Sequence, residues 1–408
     1  MSPVEHKIYY ATLPTGLRMV VAKRDSVVEH CGVAVNAGSR DEAPDRYGLA
    51  HFVEHTIFKG TRRRKAWHIL NRMELVGGEL NAYTTKEETL LYSTFPAGNL
   101  VRAVELISNL VEDSRFPGVE LDRERLVVAD EIDSYLDVPS EGIFDDFEEL
   151  IFAGSPLAHN ILGDKSSLAH FDSDICRAYL EKFYTPGEMV FFYSGPEQPE
   201  KVMKVAEKYF ASLSRPDVGR KRETPVILEP FDVVRRIDTH QAHTVLGARV
   251  EGMMSADRFA MALLTNMLGG PGMNSLLNVA LRERRGLVYT VDAGTTLMSD
   301  TGLFTIYFGC DEEDVERCIR LVNSVIGRLA NESLSVRRLA EAKKQYAGQL
   351  TIASVNSEQG AISMARSTLY RGSAMSSAEV IDAINSVTAD DIRRISQSIL
   401  PLSRLTLQ

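Results

Sequence analysis

The stretch GLAHFVEHTIF, residues 48–58, places His51, Glu54 and His55 close together on one predicted helix. Residues three and four apart share a helix face, so these side chains can point into one small volume. Two neutral imidazoles one turn apart suit a zinc ion, and a neighbouring carboxylate can take a proton from metal-bound water. The order His-x-x-Glu-His reverses the more familiar His-Glu-x-x-His. The stretch therefore indicates a candidate metal site, although histidines on an amphipathic helix can also be ordinary packed or surface groups.

A catalytic zinc needs a third protein ligand, usually from another element, and one open position for water. The helical pattern of residues 122–139 offers Glu124, Asp130, Glu131 and Asp133 as candidates. Glu124 and Glu131 are seven residues apart, so they share a helix face, and one could bind the metal while the other orients a ligand. Periodicity alone does not choose between them.

Length and composition favour a globular protein of two domains. The chain has 408 residues, of which 44% are apolar and 25% charged, and this length suits two domains of roughly 200 residues each. The formal charge of -10 argues against nucleic-acid binding. The four cysteines are scattered without a Cys-x-x-Cys spacing, which favours reduced thiols in the cytoplasm. No leader-like start or long apolar run is visible, so we expect no membrane association.

The second half of the chain repeats the plan of the first. Residues 301–330 read as a strand, a polar turn and an amphipathic helix, in the same order as residues 89–114 and of similar length. Residues 174–195 and 390–408 each run from a helix opened by aspartate into a proline turn and a closing strand. Offsets of about 212 to 217 residues recur between these pairs, which indicates a duplicated domain.

These patterns predict an α+β fold of two duplicated α/β domains, each a mostly antiparallel sheet packed with helices. We expect an N-terminal domain over residues 1–213 that carries the metal site. Residues 214–230, rich in proline, glycine and charge, are a predicted linker. Residues 231–408 would form the related second domain, which lacks a His-x-x-Glu-His motif.

The motifs resemble those of a known family. HFVEHTIFKGT, followed 76 positions after His55 by Glu131, is similar to the signature of the inverzincins, the pitrilysin-type zinc metallopeptidases. The chain most resembles their short-chain branch, which includes mitochondrial processing peptidase and its bacterial relatives. The likeness covers essentially the whole chain, from TLPTGLRMVV through GGELNAYTTKEETLLYSTF to LGGPGMNSLLNVALRERRGLVYTV, all in the expected order. It implies a LuxS/peptidase-like metalloenzyme architecture.

The resemblance also assigns roles at the metal site. It implies one zinc ion per chain, bound by His51, His55 and Glu131. Glu54 would be the general base, and Glu124 would be a supporting acid.

On the substrate side, the glycine pair before LNAYTT permits a sharp turn into an exposed polar strand, and such an edge strand can pair with an extended peptide. The resemblance carries substrate-backbone binding over to Asn81 and Ala82. It likewise assigns Arg282 and Tyr289, seven residues apart, to the substrate carbonyl, where a guanidinium and a phenol can stabilise a developing oxyanion. An ordinary edge strand and a structural arginine or tyrosine are the alternatives.

The resemblance has a consequence for assembly and function. Larger relatives enclose the peptide with four such domains, whereas this chain supplies two, so it implies a dimer in which Arg282 and Tyr289 reach the zinc site of the other subunit. A homodimer suffices, and a heterodimer with a related chain is possible. We expect a zinc-dependent endopeptidase that hydrolyses extended or unfolded peptides inside an enclosed dimeric chamber. The alternative is a catalytically inactive subunit or peptide-binding scaffold.

Overall fold

A computed structural model describes residues 7–217 and 219–408 of the chain. The strands are β1 (Ile8–Thr12), β2 (Arg18–Lys23), β3 (Val28–Val35), β4 (Glu79–Thr84), β5 (Thr89–Pro96), β6 (Met189–Gly195), β7 (Asp232–Arg235), β8 (Ala242–Val250), β9 (Val288–Leu297), β10 (Gly302–Cys310) and β11 (Ser403–Leu407).

The helices are α1 (Leu49–Thr56), α2 (Ala66–Glu74), α3 (Leu100–Asp113), α4 (Gly118–Leu136), α5 (Pro139–Ile151), α6 (Lys165–Leu168), α7 (Ser173–Phe183), α8 (Pro199–Tyr209), α9 (Arg258–Gly269), α10 (Val315–Asn331), α11 (Val336–Ala353), α12 (Ser357–Arg371), α13 (Ser377–Ser386) and α14 (Ala389–Ser398). The helices and strands expected from the sequence around residues 48–58, 89–113 and 122–139 are confirmed.

The first compact unit comprises residues 7–133, 159–217, 219–222 and 354–376 among those described. Its sheet has the strand order β1-β2-β6-β3-β5-β4, and every pairing except β2 with β6 is antiparallel. Side chains alternate between the faces of β3: Cys31 and Val33 lie in the larger core beneath α1 and α3, whereas Ala34 lies in the core beneath α12. This alternation is the two-residue period of a strand buried on both faces.

The second compact unit comprises residues 134–158, 223–353 and 377–408. Its sheet has the order β7-β11-β8-β10-β9, with β7 and β11 parallel and the other neighbours antiparallel. This order matches β2-β6-β3-β5-β4 of the first unit, so the expected duplication of a mostly antiparallel α/β fold is confirmed.

The two units are not contiguous in sequence, which differs from the division into 1–213, 214–230 and 231–408. Residues 134–158 belong to the second unit because α5 packs on its sheet: Phe147 is fully buried in one core with Val245 and Leu405. Gly247 makes room for the Phe147 ring, since a Cβ there would lie 2.8 Å from it.

In the same way, residues 354–376 belong to the first unit, because α12 covers the face of its sheet formed by Val20, Ala34 and Phe192. The predicted linker 214–230, described here except for Val218, contains the boundary between Arg222 and Glu223. Among the described residues no helix is long and apolar enough to cross a membrane.

Candidate metal centre

Helix α1 begins at a sharp turn and carries the predicted metal residues. Gly48, directly before the helix, has a φ of 92°, a left-handed conformation that favours glycine. Leu49, Phe52 and Val53 anchor the inner face of the helix in the core of the first unit. His51 is buried, whereas Glu54 and His55 are partly buried. The apolar stripe therefore fixes the helix so that the polar residues line its outer face.

Three ligand atoms converge at this face. The Nε2 atom of His55 lies 3.4 Å from the Oε2 atom of Glu131, and the Nε2 atom of His51 lies 3.8 Å from the same oxygen. One ligand atom from each of the three residues lies within 4.8 Å of the others. Ligand atoms held about 2.1 Å from a tetrahedral zinc are about 3.4 Å apart. The separations and the His-His-carboxylate donor set therefore fit a zinc ion.

The structure also distinguishes among the four acidic candidates, which all lie on α4. Glu131 faces the histidines from α4. Asp130 is exposed, and the carboxylate of Asp133 pairs with Lys165 at 2.5 Å. Neither of these two joins the histidine cluster among the described residues. The position of α4 thus brings Glu131 to the two histidines, and its role as a metal ligand stays a prediction.

Glu124 bridges a histidine and a lysine. Its Oε1 atom lies 3.1 Å from Nδ1 of His55, and its Oε2 atom lies 2.6 Å from Nζ of Lys59. A proton held on Nδ1 by this carboxylate leaves Nε2 of His55 free to bind a metal, and metal-binding histidines are usually oriented by such a carboxylate. Sequence reasoning missed Lys59, which lies four residues after His55, in the short 3-10 turn Ile57–Lys59 that follows α1.

Burial and neighbouring charges shift the pKa values of two side chains on α1. Burial, with a smaller contribution from the neighbouring His55, lowers the pKa of His51 to about 3, so its imidazole is neutral. Burial also raises the pKa of Glu54, while the neighbouring His55 and Thr84 act in the opposite direction. A neutral imidazole is the form that binds zinc. Thr84, the last residue of β4, was not singled out from the sequence, and it lies beside the carboxyl of Glu54.

Asn81 and Ala82 lie on β4, at the edge of the sheet. They pair with Tyr92 and Leu91 of β5, and no other described strand pairs with β4. Helix α1 packs against this strand. The strand is thus an edge strand that ends next to Glu54, as expected from the glycine turn and the polar run.

Arg282 and Tyr289 lie in the second unit, and both are exposed. Arg282 belongs to a π-helical segment, Asn278–Glu283. Tyr289 is 75% exposed and lies at a bulge of the edge strand β9, where the pairing with β10 shifts register. Bulges and π-helical turns commonly redirect side chains at functional sites. Both side chains are therefore accessible to solvent.

Comparison with known proteins identifies the family. A family model described as insulinase (peptidase family M16) matches residues 19–165, and one described as the peptidase M16 inactive domain matches residues 170–346. The chain belongs to peptidase family M16, the pitrilysin-type family, as the sequence motifs indicate.

Two proteins with similar sequences are named as zinc proteases. The chain is 31% identical to an uncharacterized zinc protease of Streptomyces coelicolor, over 95% of this chain and 86% of that protein. It is 28% identical to an uncharacterized zinc protease of Bacillus subtilis, over 95% of this chain and 94% of that protein.

Solved structures share the fold. A protease from Helicobacter pylori matches with a TM-score of 0.90 at 21% identity, over 99% of both chains. A peptidase M16 inactive domain from Pseudomonas fluorescens matches with a TM-score of 0.90 at 18% identity, over 98% of this chain and 97% of that one.

Proposed function

We propose that this protein is a zinc-dependent endopeptidase acting on extended or unfolded peptides. The observation that carries the proposal is the convergence of His51, His55 and Glu131 beside Glu54 in the first unit. The names of the relatives, which are zinc proteases, support the same class of reaction.

His51, His55 and Glu131 would hold the zinc ion. When bound, zinc supplies a Lewis acid that polarises the scissile carbonyl and makes water more acidic. Glu124 holds the proton on Nδ1 of His55 and so keeps Nε2 available. Lys59 neutralises the negative charge of Glu124 at 2.6 Å, which keeps that carboxylate in place.

Glu54 would move the proton. Glu54 directly precedes His55 on α1, and its carboxylate is close enough to His55 and Glu131 for both to affect its pKa. In the proposed reaction it accepts a proton from the attacking water and then returns that proton to the leaving amine.

The edge strand β4 would bind the peptide. An edge strand offers unpaired N–H and C=O groups, so an extended peptide can add to it as a further strand, and specificity then comes from pockets for alternate side chains. Because β4 ends beside Glu54, a peptide paired at Asn81 and Ala82 would pass close to the base. A folded protein cannot present a free strand in this way.

Arg282 and Tyr289 would stabilise the oxyanion from a second copy of the chain. A guanidinium and a phenol donate hydrogen bonds to a developing negative charge. Their exposure in the second unit leaves both groups accessible to another molecule. A homodimer would bring the pair to each zinc centre and would enclose the substrate.

The proposal is tested by zinc content and by cleavage of a random peptide mixture, followed by mass spectrometry. Wild type is compared with Glu54→Gln and with Glu74→Gln, a control at an exposed position of α2. We expect Glu54→Gln to keep its zinc and lose cleavage, and Glu74→Gln to retain both. Zinc binding without cleavage in the wild type would instead favour the peptide-binding scaffold.

Assembly is tested by mixing two inactive variants. Glu54→Gln lacks the base, and Arg282→Ala lacks the oxyanion contact, so a mixed dimer contains one intact site if the contact is made in trans. We expect activity to reappear on mixing. No activity in mixed dimers isolated with two different affinity tags would contradict the shared site.

A further inference from the structure

The first turn of α1 is capped by a side chain from outside the helix. The first N–H groups of a helix have no intrahelical partner, and Gly48 has no side chain to accept from them. The carboxylate of Glu42 does so instead: its Oε2 atom accepts the N–H of Gly48 at 2.9 Å, and its Oε1 atom accepts the N–H of Ala50 at 2.6 Å. The Glu42 side chain is completely buried.

His159 supports this cap from the opposite side. Its Nε2 atom lies 3.1 Å from Oε2 of Glu42, and its ring stacks on Tyr47 with the ring centroids 3.7 Å apart. The backbone of Gly163 also approaches the turn, since a Cβ there would lie 2.2 Å from the carbonyl oxygen of Tyr47. The turn that leads into α1 is therefore held by contacts from Glu42 and from the segment of His159 and Gly163.

The loop that carries Glu42 is itself anchored by buried ion pairs. Arg222 contacts both oxygens of Asp41, at 3.0 Å from Nε and 2.8 Å from Nη2. Arg40 donates to Glu87 at 2.5 Å, and both of these side chains are buried. Removing one partner of a buried ion pair destabilises a protein more than removing one partner of a surface pair. The carboxylate of Glu42 is thus presented by a rigid loop.

The two histidines of the helix are held in different ways. His55 has a side-chain partner, because Glu124 bonds to its Nδ1 atom. His51 has none at the equivalent atom: its Nδ1 is buried, and no described group forms a hydrogen bond with it. His51 is the third residue of α1. Its position therefore depends on packing and on the backbone of the first turn, which Glu42 caps.

We propose that Glu42 is a positioning residue for the metal centre, which fixes His51 through the backbone of α1 as Glu124 fixes His55 through its side chain. This inference rests on the proposed zinc site. Replacing Glu42 with glutamine turns one acceptor oxygen into an NH2 group. Whichever way the amide turns, that group faces a backbone N–H. The substitution should therefore displace the first turn and His51 with it.

The test is the zinc affinity of Glu42→Gln, measured by competition with a chromophoric chelator. Loss of an outer-shell partner weakens metal binding by about 10-fold to 100-fold, and we expect that range here. The matched control is Glu29→Gln, which changes another buried carboxylate of the first unit that accepts a backbone N–H, from Gly98 at 3.0 Å. We expect its zinc affinity to stay within about twofold of wild type.

Two further readouts separate positioning from general damage. The visible spectrum of the cobalt-substituted protein reports ligand geometry, and we expect it to change in Glu42→Gln but not in Glu29→Gln. Amide hydrogen exchange of the metal-free protein should be faster over residues 48–52 in Glu42→Gln only. If Glu42→Gln does not fold, His159→Ala replaces it, because this change keeps the carboxylate cap and removes both the hydrogen bond from His159 and its stacking on Tyr47. For that variant we expect a loss of zinc affinity of about 10-fold, the lower end of the range for such partners.

Wild-type zinc affinity in Glu42→Gln, or an equal loss in Glu29→Gln, would overturn the inference. Peptide cleavage by the wild type is measured separately. A chain that binds zinc through the Glu42-dependent turn but cleaves no peptide would refute the proposed peptidase and leave this inference intact. Failure of the wild type to bind zinc would overturn both.

Discussion

Replacing Glu124 with glutamine should weaken zinc binding through the tautomer of His55. Glu124 accepts from two donors, Nδ1 of His55 at 3.1 Å and Nζ of Lys59 at 2.6 Å, and it is only 8% exposed. A glutamine has a single acceptor oxygen. If that oxygen serves the charged lysine, the amide NH2 faces Nδ1, and the imidazole must then carry its proton on Nε2, the nitrogen that faces Glu131. A protonated Nε2 cannot bind a metal.

The expected loss is about 10-fold to 100-fold in zinc affinity, equivalent to about 1.4 to 2.7 kcal/mol. It is measured by chelator competition at neutral pH. Glu120→Gln is the control, because Glu120 lies on the same helix and pairs with the exposed Arg123, at 3.2 Å, an interaction that contributes little to stability. An affinity of Glu124→Gln within about twofold of wild type would refute the assigned bridge.

Lys59 allows a more specific test of the tautomer explanation. In the double variant Lys59→Met with Glu124→Gln, no ammonium competes for the amide oxygen, which can again accept from Nδ1 of His55. We therefore expect the double variant to bind zinc more tightly than Glu124→Gln alone, a non-additive result in a double-mutant cycle. If the double variant binds more weakly than the single one, the explanation by tautomer is wrong.

Three further predictions concern the rest of the molecule. Tyr289→Phe should lower kcat for peptide cleavage by about 100-fold with little change in KM, because one oxyanion donor is lost; an unchanged kcat would remove Tyr289 from the mechanism. Phe147→Ala should destabilise the protein by about 3 to 5 kcal/mol in chemical denaturation, since this ring is fully buried; zinc affinity should not change. Arg366→Ala leaves the buried carboxylate of Glu88 without its ion pair and should cost about 1 to 3 kcal/mol. Burial raises the pKa of Glu88 and Arg366 lowers it, so the variant should lose more stability at about pH 8 than at about pH 5, where protonation relieves the buried charge; an equal loss at both pH values would contradict this.

The sequence was most informative where local spacing carries the geometry. His51, Glu54 and His55 share a face because a helix repeats every 3.6 residues, and the structure places them so. The strand and helix after each polar turn could be predicted from apolar periodicity, and so could the repetition of that unit in the second half. Local periodicity was sufficient for these features because each depends only on neighbours in the chain.

Features that depend on distant packing could not be predicted in this way. The amphipathic pattern of α5 and α12 shows that each buries one face, but it does not show which sheet that face packs against. The sequence therefore did not predict that α5 belongs to the second unit and α12 to the first. Glu42 reaches the first turn of α1 because the chain folds back at residues 42–48. His159, which bonds to Glu42, comes from a loop 117 residues further along the chain. No spacing rule encodes that contact.

The most direct test of the proposed centre is a crystal structure of the zinc-loaded Glu54→Gln variant with a bound peptide, recorded at the zinc absorption edge. We predict one anomalous peak per chain, bounded by Nε2 of His51, Nε2 of His55 and the carboxylate of Glu131, with the peptide paired as an added strand on β4. Zinc at any other set of residues, or a peptide bound away from β4, would contradict the account.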